Sequence, residues 1–306
     1  MEKLSFAFTL SEEQKKKKEA LVARLMKNDH VLAWLKRNGC DEDFVWKHSG
    51  KFADWTAVMD KCEGCHGLDF CRQPEKGTRV DLYLDGMLMN QISHCTYYKE
   101  QQKQYAHRCF YKQMDMLEDY LLVDVTCLSL QHEAVEYKTA VAKVIDLLMN
   151  EHPQKGLYLW GKPGAGKSWL AAGMCNYYAK QEKRVAFVNV PKLISDLKLL
   201  FHEPDAMEAR LRSIRNAEVV VFDDIGGESV TAWSRDDILL PLMDARMEKR
   251  RLTIFTSNYS MEELKQRLCA AASKSSEPVA AERLLERIRA LSCEIFIKGE
   301  TVKIVI

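Results

Sequence analysis

The segment from residue 161 to 168 has the residue types and the spacing of a phosphate-binding loop. Its sequence, GKPGAGKS, fits the pattern G-x-x-x-x-G-K-[ST] at every position. Glycines let the backbone turn its N–H groups towards phosphate oxygens, Lys167 can reach the terminal phosphates, and the Ser168 hydroxyl can bind Mg²⁺. We therefore predict a site for ATP or ADP with Mg²⁺, formed by Gly161, Lys162, Pro163, Gly164, Ala165, Gly166, Lys167, Ser168 and Trp169.

A second segment of interest, the acidic VVVFDDIGGE, spans residues 219–228. It places Asp223 at the carboxyl end of a short apolar strand, where a carboxylate can bind Mg²⁺ through water. The next residue, Asp224, is the predicted polariser of the attacking water. By itself the segment is also typical of a buried strand with two acidic turn residues. Because the same chain contains a phosphate loop, the catalytic interpretation is favoured.

Another apolar strand, IFTSN at residues 254–258, ends in an asparagine, whose side chain is an amide. At that position Asn258 can orient water or sense the γ-phosphate. An Asn that follows a strand is more often only a turn former. Its order after the Asp223 strand favours the catalytic interpretation.

Near the C-terminus, AAERLLERIRALS predicts an amphipathic helix that carries Arg283, Arg287 and Arg289. One interpretation is an ordinary solvated helix face, with these arginines paired to Glu282 and Glu286. The other is an arginine finger that reaches the nucleotide of a neighbouring subunit and supplies positive charge to the transition state.

Four cysteines cluster in an irregular segment: Cys62 and Cys65 in a C-x-x-C pair, then Cys71 and Cys95. Four thiolates can bind a structural zinc ion, which would stabilise a segment too irregular to bury a good core. A redox pair is the alternative, but no thioredoxin-like strand and helix surround the C-x-x-C. The neighbouring His66 and His94 can each replace one thiolate. We expect the other six cysteines to be packed or incidental.

The elements that must position these residues divide the chain into two predicted domains. Residues 136–306 alternate helices with apolar strands, which predicts an α/β ATPase with a parallel sheet between helices. Residues 1–135 predict a small, mainly helical domain with a Cys-rich module at about 60–98. We also expect a hairpin in RVDLYLDGMLMNQIS and a helix over residues 101–122. The predicted strands are Gly156–Trp160, Val185–Val190, Val219–Asp223 and Thr253–Thr256.

The charge and hydropathy of the chain exclude some classes of protein. Its 45 Lys and Arg residues almost balance its 44 Asp and Glu residues, so any nucleic-acid contact must come from a local patch. The N-terminus lacks the features of a secretory signal, and no segment offers about eighteen uninterrupted apolar residues. We therefore expect a cytoplasmic protein with no membrane partner, in which a disulfide framework is not expected.

With these residues assembled, the chain resembles the DnaC/DnaI family of primosomal helicase loaders, within the AAA+ ATPases. The resemblance is carried by DDIGGESVTAWSRDDI, by TSN at a strand end, by ERLLERI and by the Cys-rich module joined to the ATPase. It extends over nearly the whole chain. It implies a loader that delivers the hexameric replicative DNA helicase onto single-stranded DNA during primosome assembly, with slow ATP hydrolysis that partners stimulate.

The resemblance also implies partners and roles for individual residues. The N-terminal zinc module would bind the helicase, and the ATPase would bind single-stranded DNA and self-associate, with other primosome proteins as further partners. Arg287 best matches the finger position, with Arg283 the near alternative. The remaining implied roles fall on Lys167 and Ser168 (phosphates and Mg²⁺), Asp223 (Mg²⁺ water shell), Asp224 (catalytic water), Asn258 (γ-phosphate) and Cys62, Cys65, Cys71 and Cys95 (zinc).

Two features depart from the family pattern. Many AAA+ proteins have Glu where this chain has Asp224, whose shorter side chain predicts slower hydrolysis. The tail GETVKIVI lacks the arginines of a second sensor and leaves Lys298 and Lys303 as the basic candidates.

The DNA contacts are open in the sequence. VPKLISDLKLLFH (190–202) is equally compatible with a helix that presents Lys192 and Lys198 to phosphates and with one that packs on the core. For Trp233 and Arg235, DNA contact and packing against a neighbouring subunit are likewise both compatible.

Two rival functions share parts of these motifs. A transposon-associated ATPase that regulates target selection has the same phosphate loop and acidic strand, but normally lacks a zinc module. A zinc-ribbon nucleic-acid-binding protein with an accessory ATPase is the second rival. The first 135 residues hold 19 basic and 21 acidic side chains, a balance that opposes binding to phosphates.

Overall fold

The computed structural model describes residues 11–128, 130–131, 134–269 and 277–298 of the chain. It divides the chain into two compact units, residues 1–103 and 104–306. The sequence predicted the division at about residue 135. The structure instead assigns residues 104–135 to the second unit, because they contain a strand that pairs with its sheet.

The first unit packs helices against a two-stranded hairpin. Its core is formed by side chains of the first four helices and the hairpin, with Trp34 and Phe52 at its centre. The indole of Trp34 donates a hydrogen bond to the Leu82 carbonyl at 2.9 Å, which ties a helix to the hairpin. The elements are α1 (Glu12–Leu25), α2 (Asp29–Asn38), α3 (Glu42–Lys47), α4 (Ser49–Asp60), β1 (Thr78–Asp85), β2 (Met87–His94) and α5 (Thr96–Tyr105).

Local sequence signals set several of these boundaries. Ser11 and Gln14 form a capping box that begins α1. Gly39, with a φ of 65°, ends α2 in the left-handed conformation that glycine adopts without strain. Gly86, with a φ of 68°, makes the turn of the hairpin that Asp85-Gly86 predicted.

The second unit is a six-stranded parallel sheet between helices. Its strands lie in the order β3-β5-β6-β7-β4-β8, and neighbouring strands are parallel. The elements are β3 (Tyr111–Met114), α6 (Val135–Met149), β4 (Gly156–Trp160), α7 (Lys167–Lys180), β5 (Val185–Asn189), α8 (Val190–Leu199), α9 (Pro204–Asn216), β6 (Val219–Asp223), a π-helical segment (Trp233–Leu239), α10 (Leu240–Glu248), β7 (Leu252–Ser257), α11 (Met261–Cys269), α12 (Glu277–Leu291) and β8 (Ser292–Phe296).

Alternate residues of the central strands enter two separate cores, one on each face of the sheet. Tyr158, Phe222 and Phe255 pack on one face, and Leu159 and Val221 pack on the other. Burial on both faces explains why these strands are nearly continuous apolar runs. Because β4, β6 and β7 are parallel, their carboxyl ends meet at one edge of the sheet.

One element differs from the sequence prediction. The helix expected over 101–122 ends at Tyr105, and after a 3₁₀ turn the chain forms β3. The reason is non-local: β3 is the edge strand that pairs with β5, and the Tyr111 hydroxyl donates to Asn176 at 2.6 Å. The strand β8 was also absent from the prediction. Among the described residues, no helix is both long and apolar enough to cross a membrane.

Candidate nucleotide site

The phosphate loop lies between β4 and α7, at the carboxyl end of the sheet. Its backbone is held to the neighbouring strand by a hydrogen bond from the Gly161 N–H to the Ser257 carbonyl at 3.3 Å. Gly164 and Gly166 have φ angles of 81° and 84°, values that residues other than glycine rarely adopt. No side chain in the described residues caps the N-terminus of α7. The first N–H groups of this helix therefore fit an anion such as phosphate.

Lys167 lies at the centre of the loop and is only 7% exposed. Its ammonium group donates to the Gly161 carbonyl at 2.9 Å, the Lys162 carbonyl at 2.8 Å and Asn258 Oδ1 at 3.0 Å. Burial lowers its pKa, whereas the nearby Asp224 carboxylate opposes that shift. The cation is therefore held inside the loop in the position from which a lysine contacts terminal phosphates.

Asp223 ends β6 and is also 7% exposed. Thr256 Oγ1 donates to one of its carboxylate oxygens at 2.7 Å, and Asn189 Nδ2 donates to the other at 3.3 Å. Asp223 and Ser168 line the same cavity of about 410 Å³. A hydroxyl and an oriented carboxylate are oxygen ligands of the type that Mg²⁺ prefers, so the donor set fits this ion.

Asp224 has a φ of 56°, in the left-handed region that non-glycine residues seldom occupy. Its N–H donates to Thr256 Oγ1 at 2.9 Å, and its carboxylate accepts a hydrogen bond from Asn258 Nδ2 at 3.0 Å. Burial and then the charge of Asp223 raise its pKa, and Lys167 opposes the rise. One amide, Asn258, thus connects the lysine to this carboxylate.

Two residues that the sequence analysis missed hold the turn after Asp224: Glu228, close to it in the chain, and Arg267 of α11. Glu228 is 3% exposed, and its Oε2 accepts a hydrogen bond from the Gly226 N–H at 2.8 Å. Arg267 donates to the carbonyl of the same glycine and stacks on the Tyr259 ring, 5.0 Å from its centroid. Glu228 and Arg267 therefore hold the turn by binding the N–H and the carbonyl of Gly226, respectively. The third acid in DDIGGE was the available signal for Glu228, and no local signal pointed to Arg267.

The predicted finger residues lie on α12. Arg287 is partly buried and its Nε pairs with Asp244 Oδ1 at 2.5 Å, whereas Arg283 is exposed. Arg289 pairs with Glu282 at 3.0 Å, so the charge pairing expected of a solvated helix is present for this arginine. Of the two candidates for a second sensor, Lys298 pairs with Glu136 at 2.9 Å and Lys303 lies outside the described residues.

The candidate DNA contacts are placed differently from one another. The apolar face of α8 packs into the core; on its polar side Lys198 is exposed and Lys192 pairs with Asp115 at 2.9 Å. Arg235 is 1% exposed and bonded to Asp236, so as placed here it cannot reach a DNA phosphate. Trp233 packs edge-on against Phe201, at 4.9 Å between ring centroids.

The four clustered cysteines line one cavity of about 150 Å³ in the first unit, and neither His66 nor His94 is among its described lining residues. Among the described residues, no group of three or more His, Cys, Asp or Glu side chains reaches metal-site spacing. Three sulfurs accept N–H hydrogen bonds: Cys71 from Gly77 at 3.4 Å, Cys95 from Tyr98 at 3.4 Å and Cys62 from Gln73 at 3.2 Å.

These hydrogen bonds suit thiolates rather than neutral thiols. The Gly77 and Gln73 backbone N–H groups lower the pKa of Cys71. The fourth sulfur, Cys65, instead donates to the Gly67 carbonyl at 3.3 Å, as a neutral thiol does. Four cysteines that line one cavity are nevertheless ligands of the type that zinc binds.

Comparison with known proteins places this geometry in a family. A model of the family described as IstB-like ATP binding protein matches residues 128–304, more than half of the chain. The chain belongs to the IstB-like ATP binding proteins. The phosphate loop, Asp223, Asp224, Asn258 and Arg287 all lie inside the matched region of this IstB-like protein, and the four clustered cysteines lie outside it.

Individual relatives of this IstB-like protein differ in how much of it they match. The replicative helicase loader DnaI of Bacillus subtilis (strain 168) is 28% identical over 294 residues, which cover 93% of each chain. The insertion sequence ATP-binding protein y4pL of Sinorhizobium fredii (strain NBRC 101917 / NGR234) is 28% identical over 148 residues, 48% of this chain and 56% of its own length. A crystal structure of DnaI superimposes with a TM-score of 0.53 and 31% identity, and covers 64% of this chain and 98% of the other.

Proposed function

We propose that this protein is an ATP-dependent loader that delivers the hexameric replicative DNA helicase onto single-stranded DNA in the cytoplasm. The observation that carries the proposal is the similarity to DnaI over 93% of both chains, which includes the Cys-rich unit as well as the ATPase. The similarity to y4pL covers only about half of this chain. The extent of the match therefore favours a loader over a transposon-associated ATPase.

The residues of the nucleotide site support a role for ATP hydrolysis in controlling when the helicase is loaded. Lys167 and the N-terminus of α7 bind the phosphates, while Ser168 and Asp223 hold Mg²⁺, which neutralises phosphate charge when it is bound. Asp224 accepts a proton from the attacking water or orients it. Asn258, bonded to both Lys167 and Asp224, exchanges these contacts when the γ-phosphate arrives.

We assign the two units separate tasks. The first unit, with zinc held by Cys62, Cys65, Cys71 and Cys95, binds the helicase. The second unit binds ATP and single-stranded DNA, and it self-associates so that Arg287 of one subunit supplies positive charge at the nucleotide of the next. Exposed Lys198 on α8 supplies one of the DNA phosphate contacts.

The test combines the full chain with the replicative helicase of its host. Light scattering after size-exclusion chromatography measures complex formation, and a strand-displacement assay on DNA coated with single-strand-binding protein measures loading. We expect Lys167→Ala to bind helicase but to lose fluorescent-ATP binding and loading, because a buried ammonium that contacts phosphate is removed. Lys143→Ala is the matched control: it removes an exposed lysine of α6, outside the phosphate loop, and we expect at most a twofold effect.

A fragment of residues 1–105, which ends with α5, should also bind the helicase. Failure of both the fragment and the full chain to bind helicase, with or without ATP, would contradict the loader proposal. Capture of a transposase by the full chain in the same experiment would favour the rival function.

A further inference from the structure

The cavity that contains Ser168 and Asp223 has a wall from outside the family-matched region. Residues 114–117 and Tyr120 line it together with the two proposed Mg²⁺ ligands. The family model begins only at residue 128, although the ATPase unit begins at residue 104. A segment that precedes the matched region therefore borders the Mg²⁺ end of the nucleotide site.

One end of this wall is fixed to the edge of the sheet. Strand β3 pairs in parallel with β5, and the Asp115 N–H continues the pairing to the Phe187 carbonyl at 2.9 Å. The Asp115 side chain is 6% exposed and pairs with Lys192 at 2.9 Å. Both the backbone and a buried carboxylate thus hold the wall beside the cavity.

The other end is fixed to α7, the helix that begins with Lys167 and Ser168. Asn176, which is fully buried in this helix, donates to the carbonyls of Tyr120 at 2.7 Å and Val123 at 2.9 Å. A Cβ at Gly173, on the same helix, would lie 2.3 Å from the Val125 side chain, which shows how closely the segment approaches. One helix therefore sets the positions of both Ser168 and Tyr120.

The Tyr120 side chain is half-buried, and within the described part of the chain its hydroxyl has no hydrogen-bond partner. Tyr120 lines the same cavity as Asp223 and Ser168, so the phenol lies on the same side of the sheet edge as these two side chains. Mg²⁺ in nucleotide sites keeps several of its waters, and each water has protons to donate. A phenol oxygen at this cavity can accept one of them.

We propose that Tyr120 is a positioning residue of the nucleotide site, whose hydroxyl accepts a hydrogen bond from the water shell of the Mg²⁺ held by Ser168 and Asp223. Residues 114–120 are the wall that holds it there. This inference rests on the proposed Mg²⁺–ATP site and extends it to a segment outside the family match.

The test measures binding of a fluorescent ATP analogue to the full chain as Mg²⁺ is titrated, and again in EDTA. Tyr120→Phe removes only the hydroxyl, so the backbone contact to Asn176 remains. We expect the Mg²⁺ concentration for half-maximal enhancement of binding to rise roughly three- to tenfold, the size of one hydrogen bond. Affinity in EDTA should stay within about twofold, because the phosphate loop is untouched.

Two further variants make each outcome decisive. Tyr177→Phe, a half-buried tyrosine on α7, should leave both affinities unchanged. Ser168→Ala should abolish the Mg²⁺ enhancement; if it does not, the proposed Mg²⁺ site itself is wrong. If Ser168→Ala acts as expected but Tyr120→Phe leaves the Mg²⁺ titration unchanged, or weakens binding equally in EDTA, the role of Tyr120 is overturned.

Discussion

At the scale of single residues, the site is organised by side chains that need partners because they are buried. The Lys167 ammonium is almost entirely removed from water, so three oxygens must satisfy its donors. One of these oxygens belongs to Asn258, whose amide nitrogen binds Asp224. Movement of the lysine towards a phosphate would therefore change the contacts of Asp224, through the single intervening side chain of Asn258.

The zinc proposal is also decided by single residues. We expect the purified full chain to contain about one zinc ion, because four thiolates complete a tetrahedral site. The Cys95→Ser variant should lose most of this zinc. Its thermal stability should also fall, because the proposed zinc ion connects the segment of Cys62, Cys65 and Cys71 to Cys95. Inductively coupled plasma mass spectrometry measures the metal, and calorimetry measures the stability.

The matched control is Cys109→Ser, an exposed cysteine outside the cavity. It should keep the wild-type zinc content. Equal zinc content in wild type, Cys95→Ser and Cys109→Ser, or no zinc in any of them, would contradict the assignment.

At the scale of elements, a buried arginine joins four parts of the ATPase unit. Arg246 of α10 is fully buried. It donates to Thr253 Oγ1 at 2.9 Å and to the carbonyls of Ile214 at 3.2 Å, Ala217 at 2.9 Å and Leu252 at 2.6 Å. These acceptors belong to α9, to the short segment before β6, and to β7. The arginine therefore connects the helices on one face to the strands that carry Asp223 and Asn258.

We expect Arg246→Met to lower the free energy of unfolding by about 3 kcal/mol. Methionine fills similar space but leaves several buried oxygens without donors, each of which costs about 1–3 kcal/mol. Urea denaturation followed by circular dichroism measures the change. Arg212→Met, an exposed arginine of α9 with a surface ion pair to Glu208, is the control and should cost under about 1 kcal/mol. Equal losses in the two variants would refute the structural role of Arg246.

At the scale of the whole molecule, the chain contains a Cys-rich unit with a core of its own and a second unit with the phosphate loop. The DnaI match spans both units, whereas the family model spans only part of the second. An ATPase whose activity depends on assembly needs a charge from a second subunit. Arg287 pairs with Asp244 within one subunit, so the proposed finger role requires this arginine to exchange partners.

We expect Arg287→Ala to reduce ATP hydrolysis at least about 100-fold, since arginine fingers contribute still larger factors in related phosphoryl transfers. Mixing Arg287→Ala with Lys167→Ala should restore part of the activity, because each variant supplies the group that the other lacks. Phosphate release measures both. Arg289→Ala, which removes an arginine paired to Glu282 on the same helix, should retain activity alone. Activity in the mixture no higher than the sum of the two variants would argue against a finger in trans.

The sequence by itself determined the phosphate loop and the predicted core strands of the ATPase. The loop is made by eight consecutive residues, and the strands are buried on both faces, so each leaves a local pattern. The strands Gly156–Trp160 and Val219–Asp223 have the predicted bounds, and the predicted sheet is parallel. The turn at Gly86 was likewise readable, because its conformation depends on a single residue.

Only the tertiary structure decided which residues surround that site. Strand β3 lies within a polar segment whose spacing resembles a helix, and it forms because it pairs with β5 as the edge strand of the sheet. The hydrogen bonds of Asn189 to Asp223, of Asn176 to Tyr120 and of Arg246 to its carbonyls join residues far apart in the chain. Such contacts leave no periodic pattern in the sequence, because each depends on the packing of separate elements. The wall of residues 114–120 beside Ser168 and Asp223 is their consequence.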